Sequence, residues 1–261
     1  MYPGPGAPVA GPQSSPELAN SRKYGYSVPF AYVLPVRSNT MSNLKRYFER
    51  YALVSLEKQA RLISFLGEHI LDLDFDAGTV RFSDGLVFPF QVLGTESDNS
   101  LTWLWAWAEE QTEIPPNLLT SARELRAWGE KEGLQEFTLP AVDLDRSDGT
   151  LLSLIASEVC RASGFYRDAY EGGTLFLLLS GIALDDQLVF DRRGLVRQLA
   201  DLASRYDFNH RNALLSYFRA RGISAVETGD TVSAELVNGE RVVAVFDAEA
   251  QARTINGEAL A

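Results

Sequence analysis

The sequence offers few of the residues that most often hold transition metals. It has one cysteine, Cys160, and two histidines, His69 and His210. A lone cysteine forms no intramolecular disulfide, so the chain is compatible with a reducing compartment. The histidines lie far apart, and nothing resembles HExxH or a facial triad. P-loop, GxGxxG and GxSxG signatures are missing too, and no metal or cofactor is expected. Long apolar runs are absent. The longest, Leu175 to Leu184, is interrupted by Ser180 and Gly181 and falls far short of the roughly 20 residues needed to cross a bilayer. The opening MYPGPGAPVAGPQSSP lacks a basic n-region and an apolar h-region, so no signal peptide is expected. No membrane partner is expected either, and a cytoplasmic location is the simplest reading. Basic residues are scarce: 24 Lys and Arg stand against 35 Asp and Glu, a net charge of −11. That field repels nucleic acid and anionic lipid.

What is present suits a globular chain. Hydrophobic residues make up 46% of the 261, enough for one or two domains. Seven of the eleven prolines fall in the first 35 residues, so residues 1 to about 40 are expected to form a disordered or loosely docked tail. Ser42 or Asn43 caps a helix to about Leu66. Leu44, Phe48, Ala52, Leu56, Ile63 and Leu66 lie on its apolar face, and Lys45, Arg46, Glu49, Lys58 and Arg61 on its wet side.

Period two then takes over. Leu71, Leu73 and Phe75 alternate with Asp72, Asp74 and Asp76. Turns at Asp76–Gly78 and Ser83–Gly85 lead to Val80 and Phe82, then to Leu86, Phe88, Phe90 and Val92. This predicts an antiparallel meander with one apolar face, its Pro89 strand lying at an edge or bulged there. A fourth strand, Leu101–Ala108, reads LTWLWAWA. Pro115-Pro116 opens a helix through Trp128, FTLPAVDLD is extended, and Asp148 or Thr150 starts a helix stopped by Gly164. TLFLLLSG is apolar on both faces, as a covered central strand requires. Residues 191 to about 221 form two helices, and Asn238-Gly239 marks a hairpin with positive φ expected at both turn residues. The fold class is therefore α+β. An antiparallel meander sheet with packed helices occupies about 41–185, and a smaller helix–helix–hairpin module occupies 186–261.

Trp103, Trp105 and Trp107 alternate with Leu104, Ala106 and Ala108. In a strand the three indoles share one face and span roughly 13 Å. Together they carry about 450–750 Å², as much as the largest apolar patch a monomer usually exposes. The stripe is either covered by the protein's own helices or is a contact site for a partner or ligand. Glu109, Glu110 and Glu113 follow it, which disfavours stacking of bases. Tyr166, Arg167 and Tyr170 lie in a segment expected to be a loop, where they either pack on the sheet edge or contact a partner. The segments AGTVRFSDG-LVFPFQVLGTES, TWLWAWA and IPPNLLTSARELRAWGEKEG, with the tyrosine-containing stretch Tyr166–Gly173, resemble an uncharacterised bacterial family of unknown function common in actinobacteria. The resemblance covers about residues 50–180 and implies no activity.

Candidate chemistry is sparse. Asp72, Asp74 and Asp76 invite a calcium reading, but the sixth position of an EF-hand loop would be Ala77 and the twelfth Ser83, so an exposed acidic strand face balanced by Arg81 fits better. Asp143, Asp145, Asp148, Asp185 and Asp186 read as solvated turns. Cys160 reads as an inert buried thiol, with a Cys160–His69 nucleophilic pair as the alternative. Residues 191–221 hold seven arginines against three aspartates. They dock on an acidic surface or bind phosphate as a winged helix does. The expectation is a non-enzymatic, cytosolic protein-interaction protein, of the kind found among inhibitors and immunity proteins, with another protein as partner. Trp103, Trp105, Trp107, Tyr166 and Tyr170 are the candidate contact residues. The alternatives are an enzyme with an aromatic-lined pocket and a DNA-binding regulator.

Overall fold

The computed structural model describes residues 42–67, 71–83, 85–108, 114–184 and 189–259. The expected tail, His69, Asp84, Glu109, Glu110, Glu113, Asp185 and Asp186 lie outside the described residues. Helix α1 runs Ser42–Leu66. Strands β1 (Leu71–Asp74), β2 (Thr79–Phe82), β3 (Val87–Ser97) and β4 (Thr102–Trp105) follow. A 3-10 turn at Pro116–Leu119 leads into α2 (Thr120–Glu132), which Gly133 ends in the left-handed region at φ 68°. Next come α3 (Gln135–Thr138), β5 (Ala141–Asp143), α4 (Gly149–Val159), β6 (Gly164–Tyr170) and β7 (Gly173–Leu179). Helices α5 (Arg192–Arg205) and α6 (His210–Ala220) precede a second sheet of β8 (Ala225–Thr228), β9 (Thr231–Glu235), β10 (Arg241–Phe246), β11 (Ala252–Ile255) and β12 (Glu258–Ala259). The fold is α+β with antiparallel sheets.

Strand β3 organises the first sheet. One edge pairs with β7, from Phe90↔Leu179 to Ser97↔Gly173. The other edge pairs first with β2 and then with β4. The expectation of an edge or bulged strand at Pro89 is corrected: β3 is central, and its bulge lies between Val92 and Gly94. Pro89 is tolerated because its nitrogen points past Leu179, the last ladder residue of β7, while its carbonyl accepts from Ser180 N–H at 3.2 Å. The stretch Tyr166–Gly173 is likewise not a loop. It forms β6 and a tight turn, with Phe165, Tyr166 and Arg167 paired to Leu178, Leu177 and Phe176. The run FTLPAVDLD is helical over α3 before its three-residue strand.

Helix α1 departs furthest from its expected half-wet character. Glu49, Ser55, Glu57, Gln59 and Arg61 are all buried. The reason is long-range: α6 packs beside α1, and α4 and β6 also contact it. Buried polar groups then need partners. Lys58 pairs with Glu158 at 2.5 Å, and Ser55 meets Ser157 at 2.7 Å. Gln59 behaves as a surrogate strand. Its Nε2 donates to Phe165 O at 2.7 Å, and its Oε1 accepts from Phe165 N–H at 3.1 Å. That closes the outer edge of β6 at this position. Gln59→Ala is expected to cost about 1–3 kcal/mol, because both Phe165 backbone groups lose their partner. A lower urea midpoint with an unchanged slope is the expected readout.

Two apolar layers sandwich the first sheet. Phe165, Phe176 and Leu178 face α1 and α4 in one core cluster, which continues through Leu195, Leu199, Phe208 and Leu214 to Val232, Val242 and Ala244 of the second sheet. Phe90, Val92, Leu177 and Leu179 face the other way, toward Leu62, Leu66, Leu118 and Leu119. The expected hairpin at Asn238-Gly239 is present between β9 and β10. Gly239 alone of the two residues has positive φ, at 82°, because the turn closes from Leu236 O to Gly239 N–H at 2.9 Å and Gly239 takes the left-handed position after it.

Candidate functional site

Strand β4 places Trp103 and Trp105 in the core, both fully buried. Their rings meet edge to face at 5.2 Å, and Trp103 meets Phe176 the same way. Trp105 Nε1 donates to Glu136 O at 2.8 Å. Two glycines make room for Trp103. A Cβ on Gly94 would lie 2.7 Å from its Cζ2 and 2.3 Å from Leu104 O, and one on Gly149 would lie 2.6 Å from Cζ3. Trp107 does not continue the stripe. The β3 ladder with β4 ends at Gly94↔Trp105 beside the bulge, and the chain turns into a 3-10 segment, Ala106–Ala108. Trp107 ends half-buried, with the Arg126 guanidinium over its ring at 4.4 Å.

The five aromatic candidates therefore do not converge. Trp103 packs on Phe176, whereas Tyr166 stands opposite Leu177 on β7. Consecutive strand residues point to opposite faces, so the sheet separates them. Burial, followed by the nearby Asp168 charge, pushes the Tyr166 phenol up to about 12. Tyr170 sits at the end of β6, opposite Gly173, with 45% of its surface exposed. Trp103 and Trp105 offer no surface to a partner, while Trp107, Tyr166 and Tyr170 retain some.

The buried titratable groups act as ties between elements. Glu57 Oε1 accepts from Arg61 at 2.6 Å and lies 3.1 Å from Arg221 Nε; its Oε2 accepts from Phe190 N–H at 2.8 Å and Tyr217 O–H at 2.5 Å. Burial, then the hydrogen bond to Glu57, pushes the Tyr217 phenol well above its usual range. Two turns earlier on α1, Glu49 accepts from Asn209 N–H and Asn212 Nδ2. Of the arginine-rich set, Arg221 thus docks on Glu57, while Arg205 pairs with Asp201 and Arg211 with Glu227. Asp148 is a helix cap: its Oδ1 accepts from Leu151 N–H at 2.7 Å, and Tyr206 O–H donates to it. Burial pushes the Cys160 thiol up to about 12, so it stays protonated at neutral pH and is a poor nucleophile. Among the described residues no three His, Cys, Asp or Glu side chains gather as metal ligands, and no helix is long and apolar enough to cross a membrane.

His210 is buried, and its Nδ1 accepts from Ala252 N–H at 3.1 Å. Burial lowers its pKa, against the opposing charges of Asp247 and Asp207. The unfolded chain takes up this proton near pH about 6.5, the folded chain only at lower pH. Stability is therefore lost as pH falls through the unfolded value, and this loss levels off below the folded one. His210→Asn, which keeps an acceptor, is expected to flatten that part of the melting-temperature profile between pH 7.5 and 5.5.

The surface of β1 is of a different kind. Asp72 and Asp74 are exposed on one side, with Arg81 directly opposite Asp72, and Asp76 is exposed in the turn that follows. Leu71, Leu73 and Phe75 are only half-buried on the other side. Beside them, Phe65 (43% exposed) packs edge-on against Phe88, whereas Val87 stands opposite Arg81 on the acidic face. Sequence alternation marked both faces of β1, but nothing local showed that the apolar one would stay partly uncovered. No curated protein and no solved structure matches the chain. A family model does match, over residues 45–182, which takes in most of α1, the first sheet and α2–α4: the chain belongs to the Family of unknown function (DUF6882).

Proposed function

We propose that the protein is a non-enzymatic interaction protein of the bacterial cytosol, working as inhibitors and immunity proteins do by covering a partner through complementary charge. Its relatives with a TWLWAWA strand are taken to be bacterial, largely actinobacterial. The observation that carries this reading is the half-covered apolar side of β1 with its neighbour Phe65, together with the exposed Asp72 and Asp74 on the opposite face of the same strand. A strand that offers apolar side chains on one face and negative charge on the other suits a protein partner that brings apolar groups to the first and cations to the second. Trp107, Tyr166 and Tyr170 are secondary contact candidates, with Trp103 and Trp105 supporting the sheet from within. The buried polar groups favour this reading over an enzyme, since Glu49, Glu57 and Gln59 are engaged in holding elements together.

The test is a pull-down from native lysate with wild type, Asp74→Lys and the distant surface variant Glu249→Lys. A saturable partner retained by wild type and by Glu249→Lys and lost by Asp74→Lys supports the proposal. Absence of any saturable partner sinks it.

A further inference from the structure

We propose that the outer edge of β1 binds an extended strand of another protein in which basic residues alternate with apolar ones. This rests on the interaction reading above and names the partner's chemistry. Phe82 N–H donates to Leu86 O at 2.8 Å, which turns the backbone groups of Phe82 and Val80 toward β3. Those of Arg81 and Thr79 then face β1 and engage Asp72 and Asp74. Leu71 and Leu73 consequently turn their N–H and C=O groups away from β2. Strand β1 ends the sheet, and among the described residues nothing hydrogen-bonds those groups. An open ladder edge is a template for one more strand.

The side chains state what that strand must be. Residues opposite Leu71 and Leu73 share a face with Val80, Phe82 and Phe88, so apolar side chains there would extend the layer that Phe75 and Phe90 already form by ring contact at 5.4 Å. Residues opposite Asp72 and Asp74 would lie on the exposed acidic face, where cations are favoured. The same charges argue against a second copy of this chain. Antiparallel pairing of β1 about a two-fold axis would set Asp72 and Asp74 against each other, and like charges directly opposite are destabilising. Two other edges carry side-chain guards: Gln59 caps β6 at Phe165, and an Arg211–Glu227 ion pair lies on β8.

The probe is a ten-residue peptide of alternating valine and lysine, tested on the full chain at low salt. Controls are a peptide of the same composition with five valines followed by five lysines, and an alternating valine–glutamate peptide. The expected result is at least tenfold tighter binding of the alternating basic peptide than of either control. Asp72→Lys/Asp74→Lys should abolish that preference and transfer it to the glutamate peptide. Hydrogen exchange at the Leu71 and Leu73 amides should be fast in the free protein and slow at least tenfold with peptide. Leu73→Pro, which removes only an outward N–H from the backbone, should weaken binding as well.

Equal affinity for the alternating and block peptides would reduce the effect to bulk charge and overturn the proposal, as would no binding. Slow exchange at Leu71 and Leu73 in the free, dilute protein would show the edge already filled by another part of the chain, and would overturn it too. Protection that grows with protein concentration would assign the edge to a second copy and would equally overturn it. If the peptide fails while a lysate partner is retained by wild type and lost by Asp72→Lys/Asp74→Lys, strand addition at this edge falls and the interaction reading stands.

Discussion

Glu57→Ala is expected to destabilise the fold by about 3–5 kcal/mol, the usual cost of removing one partner from a buried ion pair. The carboxylate sits mid-helix in α1 and is almost fully enclosed. It holds Arg61 on its own helix, Tyr217 and Arg221 on and just after α6, and the backbone of Phe190 ahead of α5. Alanine leaves two guanidinium groups and a phenol facing the space it vacated. Tyr217→Phe removes one charge-assisted hydrogen bond and should cost about 1.5–3 kcal/mol. Because the two share a contact, the double variant should cost less than the sum. Urea titration gives the energies, and hydrogen exchange along α6 should rise in Glu57→Ala before it rises in β3 or β7. A loss below about 1 kcal/mol would mean that α6 is held by apolar packing alone.

That network also marks the limit of what local patterning can say. The extent of α1 was legible, since its apolar residues recur at helical spacing. The environment of its polar residues was not. Glu49 and Glu57 are eight apart, and their partners Asn209 and Tyr217 are eight apart on an element about 160 residues later. No single-helix pattern contains that match. The meander β1–β3, the covered strand β7 and the β9–β10 hairpin were legible for the opposite reason: alternation and turn residues are local. Strand β6 was missed because Tyr166, Arg167, Asp168 and Tyr170 are polar or amphipathic on both faces, and only pairing with β7 makes the stretch a strand. For the candidate surface, the sequence carried the acidic face of β1. The uncovered state of Leu71 and Leu73 depends on which strand ends the sheet, a property of topology.

Trp105→Ala should be as costly, at about 3–5 kcal/mol, by a different route. At about 2–4 °C per kcal/mol for a chain of this size, the melting temperature should fall by about 6–20 °C. The indole is fully buried, packs on Trp103 and Phe137, and donates to Glu136 O. Alanine leaves a large cavity and an unpaired carbonyl together. Phenylalanine separates the two effects. Trp105→Phe keeps most of the ring volume but strands Glu136 O. Trp103→Phe loses only volume, since Trp103 Nε1 has no hydrogen-bond partner among the described residues. Trp105→Phe should therefore be the more damaging by about 1 kcal/mol. An unchanged melting temperature in Trp105→Ala would contradict the core placement of the strand. Binding discriminates further. Trp105 has no exposed atoms to give a partner, so a folded Trp105→Phe should retain whatever wild type retains, whereas Asp74→Lys, which reverses an exposed charge on β1 and releases the Ala77 N–H held by Asp74 Oδ1 at 2.8 Å, should lose it.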